Sequence, residues 1–338
     1  MSAPIVGAIA IGRNEGERLI RCLEALLASG MEVVYVDSNS SDDSVAQAKQ
    51  RGVHVVELDL SKPFTAARAR NAGVQKLLEV SPDVRFLQFV DGDCELESRW
   101  VETALAAFEN EVDLVAVCGR RKERFPEATP YNLLCDLEWD TPIGEADACG
   151  GDALYRREAF EAVSGFDETL IAGEEPELCF RLRREGGKIR RLDAPMTLHD
   201  ADVHRFGQWW KRTVRSGHAA AEAWALHGSN GQTGMVRIAK SALFYGLAAP
   251  LAGVGGFFAL RAIGLGWWSL AAPIGTLVLW NLLVSRVRAA RLDDGDPPEV
   301  ASLYARYTFL GKFAETTGVL KFALGRLRGQ RSTLIEYK

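Results

Sequence analysis

Between residues 5 and 118, short apolar runs alternate with segments of helical period, and this rhythm most constrains the fold. Residues 5–11, 32–36, 53–58, 86–90 and 114–118 are small, β-prone and almost uncharged, as buried strands are. Residues 17–28, 44–51, 64–79 and 99–110 lie between them and read as helices. In the first of these, Leu19, Leu23, Leu26 and Leu27 fall on one face, and Gly30 closes the helix. Ser41 or Asp42 supplies an N-cap for the second. Strand and helix in alternation predict an α/β fold with a mostly parallel sheet and helices on both faces. Ligands of such sheets bind outside the carboxyl ends of the strands.

The strand ends carry polar groups suited to that position. Asn14 and Glu15 follow the first strand, and Asp37 and Ser38 follow the second. The run Phe86-Leu87-Gln88-Phe89-Val90 stops at Asp91-Gly92-Asp93. Two carboxylates one residue apart, with glycine permitting a tight turn, can both reach a hard divalent cation. An isolated Asp-Gly-Asp is equally an ordinary polar turn. Residues 131–151 read as irregular, with acids, Trp139 and paired glycines. Residues 156–164 and 174–185 read as helices, the second with Glu174, Glu175 and Glu177 in its first turn, where the helix dipole favours acids. Residues 188–192 read as a strand, and 204–227 as a basic amphipathic stretch.

Composition changes beyond that point. Residues 241–260 and 266–285 are each twenty residues without a charge, separated by Arg261. At about 1.5 Å per residue each reaches roughly 30 Å, the thickness of a hydrocarbon core. Arg237 and Lys240 precede the pair, and Arg286, Arg288 and Arg291 follow it, so both outer ends are expected on the cytoplasmic side. Trp267 and Trp268 lie where an interfacial aromatic belt belongs. A basic amphipathic segment is expected over 303–328, with Leu303, Tyr307, Leu310, Phe313, Leu320 and Leu324 near helical spacing. The domains expected are therefore 1–227, 228–292 with a transmembrane hairpin, and a cytoplasmic segment 293–338.

The formal net charge is −5, and no clustered basic excess marks a nucleic-acid footprint. The six cysteines form no Cys-x-x-Cys pair and read as reduced thiols of a cytosolic compartment. The first residues lack the basic and apolar regions of a secretory signal.

Four segments in order, Val36-Asp37-Ser38-Asn39-Ser40-Ser41-Asp42, Ala69-Arg70-Asn71-Ala72-Gly73, Asp91-Gly92-Asp93 and Gly173-Glu174-Glu175-Pro176-Glu177-Leu178 with Arg181, resemble family 2 glycosyltransferases of the GT-A fold. The resemblance spans residues 4–217. It implies a nucleotide-sugar donor, a UDP-sugar first among them, and Mg2+ or Mn2+. It implies Asp93 as the metal-binding acid, Asp91 beside the ribose or the metal, and His199 as a further metal or diphosphate contact. Asp37 and Glu15 would contact the nucleoside, and Arg70 would lie near the nucleotide. The family often has a second acid after Asp37; here it is Ser38. Glu175 matches the family's general base, usually Asp, which leaves Glu174 or Glu177 as alternatives. A base opposite the leaving group implies inversion. Gly151 and Asp152 would border donor sugar and acceptor, with Glu177 near the substrate. Arg212 and Arg215 would meet the diphosphate or lipid headgroups. Likeness to members with C-terminal membrane helices implies a lipid-linked saccharide acceptor, exopolysaccharide assembly at the bacterial inner membrane with the catalytic domain facing the cytoplasm, and other polysaccharide-assembly proteins as partners. Alternatives are a polyprenyl-phosphate hexose synthase and a catalytically silent scaffold subunit.

Overall fold

The computed structural model describes residues 5–59, 61–229 and 233–329; parts of the expected terminal and central segments at 1–4, 230–232 and 330–338 lie outside them. The chain divides into two compact units, Met1–His204 and Arg205–Lys338.

Among the described residues of the first unit, nine strands form one sheet. They are β1 (Val6–Gly12), β2 (Glu32–Asp37), β3 (His54–Glu57), β4 (Phe86–Asp91), β5 (Cys94–Leu96), β6 (Leu114–Glu123), β7 (Gly144–Glu145), β8 (Ala153–Arg156) and β9 (Lys188–His199). The order is β3-β2-β1-β4-β8-β6-β9-β5, with β7 also on β9. The first four strands are mutually parallel. Beyond them β8 runs antiparallel to both β4 and β6, while β6 and β9 are parallel. The parallel half is the expected one. Its inner strands β1, β2 and β4 are buried on both faces and read as continuous apolar runs for that reason, while β3 at the edge is half-buried.

The helices are α1 (Glu17–Ala28), α2 (Ser44–Gln50), α3 (Ala66–Val80), α4 (Trp100–Asn110), α5 (Pro130–Trp139), α6 (Arg157–Ala162) and α7 (Glu174–Arg184). In α1, Leu19, Leu23 and Leu26 are buried as expected, with Cys22 rather than Leu27 completing the face. The stretch expected to be irregular contains α5. Thr129 caps it, its hydroxyl accepting from the Asn132 amide at 3.1 Å, and Pro130 occupies the first turn. Strands β6 and β9 run five and seven residues past the ends expected for them, at Cys118 and Leu192, through register shifts. Those extensions pair Glu123 with His199 and carry both beyond the end of β4.

The second unit is helical: α8 (Phe206–His227), α9 (Thr233–Leu243), a π-helical turn at Phe244–Ala248, α10 (Ala249–Ala262), a 3-10 turn at Gly266–Leu270, α11 (Ala271–Asp293) and α12 (Pro298–Leu327). Thus α8 belongs to this unit, where the sequence places it with the first. The π turn precedes Pro250, whose ring and missing N–H disfavour regular α-helix there. Among the described residues, two helices are long and apolar enough to cross a membrane, Gly234–Ala262 and Gly266–Asp293, and they contain the expected spans. Little of either is buried within the protein. Leu251, Phe258, Leu277 and Leu282 are exposed, as are Trp267 and Trp268 between the helices. Thr276 donates to the Ala249 carbonyl at 3.1 Å, and Trp280 Nε1 donates to the Tyr245 carbonyl at 3.1 Å, tying the two together. The α12 segment is helical as expected but buries a different face. Ala301, Ala305, Gly311, Ala314 and Gly318 are inside, while Leu310, Leu320 and Leu324 are exposed. Close approach to α8, where a Cβ on Gly217 would meet the Glu315 backbone, admits only small residues.

A Cβ on Gly73 of α3 would collide with Ile9 Cγ2 and stand 3.0 Å from Val36 Cγ2. In an open helix Gly→Ala stabilises by about 1 kcal/mol. Gly73→Ala is therefore expected to reverse that sign and cost about 1–3 kcal/mol in urea unfolding, through overpacking against β1 and β2.

Candidate active site

The ends of β1, β2 and β4 are level because Gly12 pairs with Asp37 and Ile11 with Asp91. The loops after β1 and β2 are laced together. Asn14, at a positive φ of 56°, accepts from the Ser41 amide at 2.7 Å, and its own N–H donates to Ser40 Oγ at 2.9 Å. Asp37 is buried, accepting from Tyr35 Oη and the Ser40 amide, both at 2.8 Å. Glu15 pairs with Arg18 at 2.9 Å.

At the end of β4 the acids divide. Asp91 Oδ1 accepts from Arg70 Nη2 at 2.8 Å, and Oδ2 accepts from both terminal nitrogens of Arg121 at 3.2 Å. Burial pushes the Asp91 carboxyl up, but Arg70 and Arg121 outweigh it and hold the group below the usual carboxylate range. The Asp91 amide donates to Asp152 Oδ1 at 2.9 Å, and Thr197 Oγ1 donates to Asp152 Oδ2 at 2.7 Å, so β4, β8 and β9 are joined at this point. A Cβ on Gly151 would lie 2.5 Å from Asp91 Oδ2 and 3.1 Å from Arg70 Nη2, so only glycine fits there.

Asp93 faces elsewhere. Its Oδ2 is 3.3 Å from His199 Nε2, and His199 Nδ1 is 3.4 Å from Glu123 Oε2. Ligand atoms of Asp93, Cys94 and His199 all lie within 4.8 Å of one another, and all three residues are buried. A carboxylate and an imidazole fit a divalent cation, with Glu123 fixing the ring from behind as second-layer carboxylates do. The Cys94 thiol is pushed up by burial and suits a hard cation poorly. The structure brings Asp93 and His199 together, and gives Asp91 guanidinium partners instead.

The first turn of α7 holds three buried acids in three settings. Glu174 Oε1 accepts from Arg70 Nη1 at 2.7 Å. Arg70 thus spans Asp91 and Glu174, and is itself buried. Glu177 is tied to Arg181, which donates to it at 2.6–2.9 Å and to the Gly165 carbonyl at 2.7 Å. Glu175 Oε1 accepts from the Cys149 amide at 2.6 Å and Cys179 Sγ at 2.9 Å, with Tyr155 Oη at 3.5 Å. Burial raises the Glu175 pKa above the ordinary value, and these hydrogen bonds offset it only in part.

Several participants were not singled out by the sequence. Arg121, Glu123 and Thr197 lie on the extended ends of β6 and β9, and nothing local to their segments marks them. The Arg121 guanidinium stands 4.7 Å over the Trp139 ring, whose edge contact with His199 is 4.4 Å between centroids. The Thr129-Pro130 helix start was the available signal for the element that presents Trp139. Arg212 and Arg215 lie on α8 of the second unit.

Residues 9–164 match the family described as Glycosyl transferase family 2, so the chain carries a domain like those of that family. A pre-mycofactocin glycosyltransferase of Mycobacterium tuberculosis is 29% identical over 238 residues, covering 64% of this chain and 46% of that protein. A glucosyl-dolichyl phosphate glucuronosyltransferase of Haloferax volcanii is 25% identical over 51% of this chain and 60% of its own length. An O-antigen chain rhamnosyltransferase of Salmonella typhimurium is 27% identical over 47% of this chain and 53% of its own. The chain spans about half the length of the curated relatives it matches. A mannosyltransferase from Pyrobaculum calidifontis, solved with GDP-Man and Mn2+, superposes with a TM-score of 0.55 at 14% identity, covering 97% of this chain and 88% of that one; the likeness is one of GT-A fold.

Removing the Arg70 guanidinium leaves two carboxylates short of a partner. Arg70→Met is expected to cost about 3–5 kcal/mol in urea unfolding, the penalty of breaking a buried ion pair from one side. Arg70→Lys, with a point charge in place of a fork, is expected to recover only part of it.

Proposed function

We propose that the chain is a metal-dependent, inverting glycosyltransferase. It moves a hexose from a nucleotide sugar, a UDP-sugar foremost, to a lipid-linked saccharide at the cytoplasmic face of a bacterial inner membrane, in exopolysaccharide or cell-surface glycan synthesis. The observation that carries this is the Arg70 bridge, which joins Asp91 at the end of β4 to Glu174 at the start of α7, next to Asp93 and Glu175 in sequence. In this reading Asp37 and Glu15 contact the nucleoside, and Asp93 and His199 hold Mg2+ or Mn2+. When bound, the cation supplies Lewis-acid stabilisation of the departing diphosphate. The Pyrobaculum enzyme's GDP-Man and Mn2+ support a nucleotide-sugar donor and a divalent cation.

Glu175 takes the proton of the acceptor hydroxyl as that oxygen attacks the anomeric carbon opposite the leaving group. Two features favour it over Glu174. Glu174 is committed to Arg70, whereas burial raises the basicity of Glu175. Glu177, locked to Arg181, fixes the start of α7. Gly151 and Asp152 form the wall between the Asp91 side and the acceptor. The apolar hairpin supports membrane attachment, and the dolichyl phosphate and O-antigen chain in the relatives' names support a lipid-carried glycan as acceptor.

Asp93→Ala is expected to abolish metal-dependent nucleotide release. Glu175→Gln is expected to lower turnover about 10²–10⁴-fold with the donor KM near that of wild type. Full turnover in both folded variants contradicts the assignment. A base works only when deprotonated, so a raised pKa moves the acid limb of the pH–rate profile upward. That limb should lie above the ordinary glutamate range. On fractionation the full-length protein is expected to resist carbonate extraction and yield to detergent; release by carbonate alone contradicts the hairpin.

A further inference from the structure

Glu175 sits in sulfur-rich surroundings that its role as a base does not call for. Cys179 lies one turn along α7 and donates its thiol to Glu175 Oε1 at 2.9 Å. Cys149, in the loop before β8, donates its amide to the same oxygen. The two sulfurs and the carboxylate oxygen all lie within 4.8 Å of one another. Cys118, buried on β6, interacts with the Cys149 thiol. All of these cysteines are unpaired by disulfides. Two sulfurs and one carboxylate oxygen thus converge from the loop before β8 and α7, with Cys118 of β6 beside Cys149.

We propose that Cys149, Cys179 and Glu175, with Cys118 as the fourth donor, form a site for a thiophilic divalent cation of the Zn2+ class. Zn–S bonds of about 2.3 Å and Zn–O bonds of about 2.0 Å make the edges of such a tetrahedron about 3.5–3.8 Å. Cys149, Cys179 and Glu175 need only small side-chain movements to reach that spacing, and Cys118 approaches from the Cys149 side. Gly150, at a φ of 92°, gives the Cys149 loop a conformation outside regular structure. Binding releases the thiol protons to solvent. The donor set shares no residue with Asp93 and His199 and differs from it in softness. Oxygen-rich sites suit Mg2+ and Mn2+, whereas thiolates select softer ions. A cation bound here engages the carboxylate oxygen that would otherwise accept the hydroxyl proton. The site is therefore inhibitory, a consequence that rests on Glu175 being the base.

The test is titration of reduced full-length protein with Cd2+ in saturating Mn2+, following the ultraviolet thiolate-to-metal charge-transfer absorption. A band saturating at one equivalent per chain is expected, collapsing when Zn2+ is added in competition. It should be lost in Cys149→Ser and in Cys179→Ser, each checked by circular dichroism and thermal melting. Cys149→Ser changes a half-buried loop residue and guards against a folding failure at Cys179. No band, or a band that persists in both folded variants, overturns the site. Donor turnover by wild type should fall with the same half-point as the band rises. Binding without loss of turnover keeps the site and overturns Glu175 as the base. Loss of turnover without a band overturns the site and leaves the base assignment standing.

Discussion

Arg70 is the charge on which the catalytic unit depends. Its guanidinium is only 3% exposed, and leaving water costs it several kcal/mol unless anions meet it inside. Burial alone would lower its proton affinity; Asp91 and Glu174 reverse that and keep it charged. Each acid sits at the edge of a different element, one at the end of β4 and one opening α7, so satisfying one cation fixes both edges. Gly151 has to pass without a side chain between them. Phe166 lies under the guanidinium at 5.5 Å and closes the remaining side. The helix carrying Arg70 is in turn pressed onto β1 and β2 through Gly73. The rim is thus assembled from the core outward.

The same rim separates two chemistries by their neighbours. Asp93 is paired with an imidazole and faces the carboxylate of Glu123 through it, a setting for a hard cation. Glu175 is held by an amide and a thiol, and burial raises its proton affinity. Asp91, held down by two guanidiniums, and Glu175, pushed up by burial, are thereby suited to different work. The second unit obeys another constraint. Its long helices expose Leu, Phe and Trp side chains and bury alanines and glycines where α8 and α12 meet, the pattern of helices whose large residues face lipid.

Much of this was legible in the sequence. The parallel strands are continuous apolar runs because both faces are covered, and the acids at their ends mark the binding edge. Asp37, Asp91, Asp93, Glu174, Glu175 and Arg70 are visible by their place in the strand–helix rhythm and by resemblance. The mixed half of the sheet was less so. Strands β5, β7 and β8 are two to four residues long, too short for periodicity to declare them. Arg121, Glu123 and His199 depend on how far β6 and β9 run past each other, and pairing register is a tertiary fact. The thiols at 149 and 179 beside Glu175, and Cys118 next to Cys149, are scattered in sequence, so no spacing rule joins them. The face that α12 buries followed backbone proximity rather than the larger apolar side chains.

If the cation holds the leaving group on one side of the anomeric carbon and Glu175 acts as base on the other, transfer is a single displacement. Proton NMR of the glycoside formed from an α-configured UDP-hexose, read from its anomeric coupling before any mutarotation, tests this most directly. A single displacement gives a β-linked product. An α-linked product would contradict it, because retention requires an intermediate that this arrangement of Asp93 and Glu175 has no part in forming.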